Sequence, residues 1–338
     1  MSREVLSPSI VVIGKRHYRI NPIHDGYGGP CSNIFKPGYQ EEDMFGEDDE
    51  DTYDVEELEN SLFRTQFHVP RVFYGGLIGQ KGMTKRRIES ETKTEIFIPG
   101  VRDTKESLVS IKGRSRKDVC AARRRVELVI ESLRKKTQPT HFTCVPACTD
   151  AIKKAFNKFK ESILYDNLPG IDEPLFQSAE KLHITFASCT LLDDEERVKA
   201  AQIFHDCKEF LASIPPIEVN VCGLEIMNDD PSSVAVLYAR IESSGLQVLA
   251  DKILQKFKEA RLNNDEYRDA AKLHMTLMNV RGRLQRDPSS LSTFDARVIC
   301  KKYADYDFGK FTVNEVHLSQ MHTTGANGFY IATGILTV

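Results

Sequence analysis

The sequence predicts an α+β chain of two folded domains behind an irregular N-terminal stretch, and three observations carry that reading. One phrase occurs twice, Ala-Glu-Lys-Leu-His-Ile-Thr-Phe at 179–186 and Ala-Ala-Lys-Leu-His-Met-Thr-Leu at 270–277, with the two histidines 91 residues apart (274 − 183). Between residues 61 and 137 the apolar pattern alternates between strand and helix spacing in the order β-α-α-β-β-α, with Gly79-Gln80-Lys81-Gly82 between the first two helices. Charge is segregated as well. Residues 40–60 hold twelve Asp and Glu and no Lys or Arg, whereas residues 79–136 hold seventeen Lys and Arg against eight acids, in a chain of formal net charge −3. The basic block is an electrostatic footprint suited to phosphates.

The remaining composition excludes several classes. At 338 residues, 41% hydrophobic and 28% charged, the chain is long enough for two or three domains and ordinary for a soluble globular protein. No apolar run is long enough to span a bilayer, and the N-terminus lacks the apolar core of a secretory signal, so no membrane partner is expected. The eight cysteines include no Cys-x-x-Cys pair. Cys144 and Cys148 are the closest two, and nothing near them completes a zinc set. A reduced intracellular compartment and no metal or other cofactor are the expectations.

Residues 1–22 are expected to be a partner-docking segment. Ile10–Ile13 is a β-branched run, Gly14-Lys15 suits a turn, and Tyr18 and Ile20 alternate beyond it. A lone hairpin is marginal in water and gains by docking; a disordered tail is the competing expectation. Residues 23–60, rich in Gly, Pro and acids, bury too little apolar surface to offset ordering entropy and should form a flexible acidic linker.

The first folded domain is expected over 61–137. Phe63–Val69 alternates as a strand, and Pro70–Ile78 and Met83–Glu91 read as short helices. Thr94–Pro99 and Leu108–Lys112 read as strands, and Arg116–Arg134 as a long helix with Val119, Ala122, Val126, Ile130 and Leu133 on one face. Gly79 and Gly82 permit a tight turn and close approach of backbone to a sugar-phosphate chain. The start of the next helix offers N–H groups to phosphate, and Lys81 adds a mobile cation. The element order and the phrase Leu-Ile-Gly-Gln-Lys-Gly-Met-Thr-Lys-Arg-Arg-Ile-Glu resemble the type I KH domain (βααββα). The resemblance implies single-stranded RNA bound through Gly79, Gln80, Lys81, Gly82, Lys85 and Arg86, although some KH folds serve as scaffolds.

Thr137-Gln138-Pro139-Thr140 reads as a short hinge, and the second domain is expected over 138–338. Phe142–Val145 suits a strand, Asp150–Leu164 a helix, and Asp193–Ile214 a helix capped by Asp193 or Asp194 and stopped by Pro215-Pro216. Ile217–Ile226 and Val234–Ile241 are strand-like, and Gly245–Leu262 is a helix. Arg281–Pro288 reads as a loop, followed by strands Phe311–Met321 and Phe329–Thr337. In each copy of the repeated phrase, His and Thr stand two apart and so share one strand face, with Leu182, Ile184 and Phe186, or Leu273, Met275 and Leu277, on the other. Lys181 and Lys272 either share the cleft face or edge the strand; His205, His317 and His322 have no matching motif and read as incidental.

Two such His-x-Thr strands resemble the two-histidine (2H) phosphodiesterase superfamily, which includes the 2′,5′ RNA ligase-like proteins. The resemblance implies a two-lobed, pseudo-symmetric domain with both motifs in one cleft. Metal-free cleavage of a phosphodiester needs a base, an acid and donors for the anionic oxygens. Imidazole suits both proton roles because it titrates near neutrality. The resemblance assigns those roles jointly to His183 and His274, and phosphate holding to Thr185 and Thr276, without saying which histidine is the base. A cleft with the same donors could bind a nucleotide or RNA end without turnover, and an assembly adaptor is a third possibility.

KH and 2H domains in one chain, with Val-Leu-Ser-Pro…Tyr-Arg-Ile-Asn-Pro at the N-terminus and Gly-Leu-Glu-Ile-Met-Asn-Asp-Asp-Pro at 223–231, resemble a subunit family of a transcription-coactivator complex that also serves alkylation-damage repair. That likeness implies a nuclear protein, a large helicase subunit and other subunits as partners, and RNA as ligand.

Overall fold

Strands β1 (Ile10–Ile13) and β2 (Arg16–Arg19) pair antiparallel, Ile10 opposite Arg19 and Ile13 opposite Arg16, as the β-branched run and its two-residue connection lead one to expect. The structure, a computed structural model, describes residues 10–13, 16–19, 53–100, 108–263 and 269–338. Apart from these two strands, the docking segment expected at 1–22 and the acidic linker as far as residue 52 lie outside the described residues. Residues 1–49 and 50–338 are separate units, and all that follows concerns the second.

The acidic stretch ends earlier than its composition suggests. Tyr53 packs against the first core, Val55 is buried in it, and β3 (Glu56–Leu58) pairs with β4 (Leu62–His68). The acids there stay exposed, and Glu56 also pairs with Arg64 at 2.6 Å. Beyond β4 come α1 (Tyr74–Ile78), α2 (Met83–Thr92), β5 (Thr94–Phe97), β6 (Leu108–Gly113) and α3 (Arg116–Lys135). This is the βααββα order with one strand added in front. The sheet order is β3-β4-β6-β5, all antiparallel. Its inward residues Val109 and Ile111 meet Val119, Ala122 and Val126 of α3, together with Leu77 and Ile88. Burial of such side chains, each contributing roughly 1.5–3 kcal/mol, makes this a self-contained core.

The second core lies on one face of an eight-stranded antiparallel sheet. Its elements in sequence are β7 (His141–Pro146), α4 (Asp150–Tyr165), β8 (His183–Cys189), α5 (Asp194–His205), α6 (Lys208–Ala212), β9 (Glu218–Ile226), β10 (Val236–Glu242), α7 (Ser244–Glu259), β11 (His274–Asn279), α8 (Val280–Arg286), α9 (Arg297–Lys302), β12 (Asp307–Thr312), β13 (Glu315–Gln320) and β14 (Ala332–Thr337). The spatial order is β12-β9-β10-β11-β8-β7-β13-β14. The two His-x-Thr strands are therefore the central neighbours, each flanked outward by three strands. Ile184, Phe186, Met275 and Leu277 point into the core formed with α4 and α7, leaving the histidine face uncovered by it.

Three sequence expectations are corrected. The helix expected over 193–214 breaks into α5 and α6, because Cys207 N–H bonds the Phe204 carbonyl three residues back and tightens the turn. The loop expected at 281–288 is largely α8, capped by Asn279 Oδ1 at 2.8 Å from Arg281 N. Its buried side chains are Val280 and Arg283, and pattern reading places the arginine outside. The strand expected over 311–321 is the end of β12 and all of β13, turned at Val313-Asn314.

The expected hinge at 137–140 is a fixed junction. Arg134, in the last turn of α3, is buried and pairs with Glu196 of α5, also buried, while donating to the Thr190 carbonyl. His68 of β4 lies 2.8 Å from Asp193, whose other carboxylate oxygen caps α5. Glu127 of α3 accepts from Tyr53 (3.0 Å) and Arg123 (2.7 Å) and also pairs with Arg261 of the second domain. Surface ion pairs contribute little singly, but a buried pair fixes geometry because neither charge can be left alone.

Candidate functional site

The loop between α1 and α2 needs its glycines. Gly79 (φ 72°) and Gly82 (φ 78°) both lie in the left-handed region, and a Cβ on Gly79 would overlap Thr84 Oγ1. Lys81 shares that region at φ 51°. Gly82 caps α2 without a side-chain acceptor, so the first N–H groups of α2 have no side-chain cap. Gln80, Lys81 and Arg86 are exposed, whereas Lys85 is half-buried and pairs with Glu89 at 3.6 Å. The six residues expected to contact RNA thus lie in one loop and helix start.

Replacing Gln80 and Lys81 together by Asp is expected to weaken binding of single-stranded RNA about tenfold or more and to flatten its salt dependence, since cationic phosphate contacts release counterions. Fluorescence anisotropy at two salt concentrations measures both. Unchanged affinity and slope would mean the loop is not the clamp.

On the open face of the second sheet, β8 and β11 run antiparallel and meet where Met275 pairs with Ile184. That register puts His183 across from Thr276, and Thr185 across from His274, all on the face away from the core. Each histidine is held identically. His183 Nδ1–H donates to the Lys181 carbonyl at 2.6 Å, and His274 Nδ1–H to the Lys272 carbonyl at 2.7 Å. A carbonyl only accepts, so Nδ1 carries the hydrogen and Nε2 is the basic nitrogen of each neutral ring.

The likeness extends past the motif. The Tyr330 ring centroid lies 5.4 Å from that of His183 and 4.9 Å from the Lys181 ammonium. Tyr238 repeats this with His274 at 5.3 Å and Lys272 at 5.1 Å. Both lysines therefore belong to the cleft rather than to the strand edge. Phe142 closes the His183 ring from another side at 4.9 Å.

His183, Thr185 and Thr276 line a cavity of about 650 Å³ that also meets Ser188, Lys181, Arg281, Gln285, His322 and Tyr330. His274 and Lys272 line an adjoining space of about 190 Å³, and Thr185 and Ser188 border both. No Asp or Glu lines either space among the described residues. The setting is cationic and rich in hydroxyl donors, suited to a phosphate.

Sequence reasoning missed several of these residues. Ser188 reaches the cleft because a bulge near Phe186 shifts the alternation of β8, which five-residue spacing from His183 does not reveal. His322, read as incidental, lines the cavity. Tyr330 and Arg281 arrive from distant sequence and carry no local signal. His317 is elsewhere, buried and 2.9 Å from Glu315.

Burial depresses His183 to about 4, helped by the neighbouring His274 and opposed by the bond to the Lys181 carbonyl. His141, buried beside Arg197, is likewise lowered to about 4, chiefly by burial. Both therefore bind protons more weakly in the folded chain than at their ordinary value of 6.5. Between those limits the unfolded chain holds more protons, so stability is full above pH 6.5 and is lost as pH falls toward about 4. Thermal unfolding is expected to move down through that window, and His141→Gln to reduce proton uptake on unfolding by about one. Calorimetry across pH checks it; an unaltered pH dependence in the variant would contradict the assignment.

Comparison with known proteins gives the following. The family model described as AKAP7 2'5' RNA ligase-like domain matches residues 139–338, and the KH domain model matches residues 64–128. The chain is 32% identical to activating signal cointegrator 1 complex subunit 1 of Mus musculus, over 98% of both chains. A solved structure, TT0787 of Thermus thermophilus, aligns with a TM-score of 0.43 at 15% identity, covering 59% of this chain and 97% of that one.

Proposed function

This chain belongs to the activating signal cointegrator 1 complex subunit 1 family, a KH domain joined to a 2′5′ RNA ligase-like domain, and on that premise we propose that it is a metal-independent RNA phosphodiesterase. The KH domain holds a single strand and the two-histidine cleft cleaves it. The observation that carries the reading is the matched pair of imidazoles, each pinned through Nδ1 to the carbonyl two residues before it, with Thr185 bordering the space of both.

Burial keeps His183 neutral, which suits it to take the proton of the attacking hydroxyl through Nε2. His274, facing the smaller and adjoining space, gives a proton to the leaving oxygen as the phosphorus–oxygen bond breaks. Thr185 and Thr276 donate to the non-bridging oxygens, where negative charge grows. Near-full-length similarity to a subunit of the activating signal cointegrator 1 complex supports a place for the chain in such a complex. In this proposal that complex is nuclear and serves transcription and alkylation repair, and residues 1–22 dock its large helicase subunit.

One observation favours a second reading, a nucleotide- or RNA-end-binding cleft without turnover. A general base works best with its pKa near the operating pH, and His183 sits well below that in this cleft. The deciding experiment incubates purified protein with end-labelled single-stranded RNA and a chelator, then identifies the product termini. Persistent cleavage with a defined terminal phosphate supports the enzyme. Nucleotide binding that needs both histidines, with intact RNA, supports the binder.

A further inference from the structure

The wide side of the cleft carries more positive charge than one phosphodiester uses. In the reaction above, a single phosphate occupies the two histidines and the two threonines. Lys181 and Arg281 border the same cavity without a part in that step. Lys181 is held at the rim by Thr324 Oγ1 (2.7 Å) and the Thr323 carbonyl (3.0 Å), over the ring of Tyr330. Arg281 comes from α8 and borders the cavity beside Tyr330, whose phenol burial pushes up and the Arg281 charge slightly opposes.

The wall that presents Arg281 is rigid. Arg283, 8% exposed, donates to Asp172 Oδ1 (2.7 and 3.1 Å) and to the Gly170 carbonyl (2.5 Å), which ties α8 to the segment before β8. Gly282 lies so close to the Pro174 carbonyl that a Cβ would overlap it. Gln285 follows Arg281 by one helical turn and lines the same cavity. His322 lines the same cavity. Among the described residues no carboxylate lines this cavity to neutralise the cations.

We propose that this rim is a second phosphate subsite. Arg281, with Gln285 and Lys181, takes the phosphate next to the one held by the histidines. The preferred ligand is then a nucleotide carrying two phosphates, as within a strand, rather than one. The inference rests on the nucleotide-cleft reading above.

The test uses the full chain carrying Gln80→Asp and Lys81→Asp, so that the KH loop does not contribute. Its affinity for adenosine 3′-monophosphate and for adenosine 3′,5′-bisphosphate is measured by calorimetry, then again with Arg281→Gln added. The parent should prefer the bisphosphate by about tenfold to a hundredfold, the range of a hydrogen bond to a charged group. Arg281→Gln should abolish the preference and leave monophosphate affinity within about twofold, as expected where the exposed side chain touches only the added phosphate. A preference that survives Arg281→Gln overturns the subsite, as does a parent that binds both ligands equally. A parent that does not bind the monophosphate overturns the nucleotide cleft itself, and the subsite with it.

Discussion

Replacing either His183 or His274 by alanine is expected to lower turnover of single-stranded RNA on the order of 10²–10⁴-fold, the usual contribution of a positioned acid or base. The double variant should be little worse than the worse single, because the two imidazoles act on one phosphate as a unit. A phosphodiester with a good leaving group separates the roles. Such a substrate needs no proton at the departing oxygen, so it should restore much of the rate to His274→Ala and little to His183→Ala. The reverse rescue would exchange the assignments. The pH–rate curve of the unaltered chain should be bell-shaped and report values belonging to the pair. Cleavage that ignores both substitutions, or that a chelator abolishes, would trace to another nuclease.

The second large effect lies at the junction. Arg134→Ala leaves Glu196 buried with its charge partner gone and is expected to cost about 3–5 kcal/mol. It also removes the guanidinium 5.2 Å from the ring of Phe73 and the donor to the Thr190 carbonyl. Glu196→Ala should cost a similar amount for the converse reason, and it also frees the Leu192 N–H that Glu196 accepts at 2.9 Å. Exchanging both residues for apolar ones of similar volume should recover much of the loss, since the penalty comes chiefly from the stranded charge. Urea unfolding of the two singles and the double measures this as a cycle. Single losses below about 1 kcal/mol, the level of exposed pairs, would show that the junction does not depend on this pair.

What could be read from the sequence followed from local chemistry repeated at a regular interval. Lys-Leu-His-x-Thr announced itself twice, and alternation in the strand placed His and Thr on the open face. The KH loop was legible because its two glycines and flanking cations lie within one turn. The missed residues are those that topology delivers. Tyr330 reaches His183 only because the connection from β13 to β14 returns to the cleft, where its Thr323 and Thr324 also hold Lys181. Ser188 reaches the cleft only through a bulge. The helix at 280–286 was hidden because one of its two buried side chains is an arginine, and the junction because Arg134 and Glu196 look like surface residues until they are paired. The acids at 56–57 misled in the same way: composition marked a spacer where backbone pairing with β4 forms a strand.

The strand order has a consequence for synthesis. The first motif's side of the sheet is β8-β7-β13-β14, and β13 follows the second motif in sequence. As the chain leaves the ribosome, β7 therefore has no outer neighbour until both motifs and β12 have emerged. Its backbone edge stays open through that interval, a template for wrong pairing of the kind that chaperones guard. The KH domain, whose strands all pair within its own sequence and whose junction bonds alone wait for the second domain, can fold well before, so an RNA-binding surface would exist on the nascent chain before any cleft.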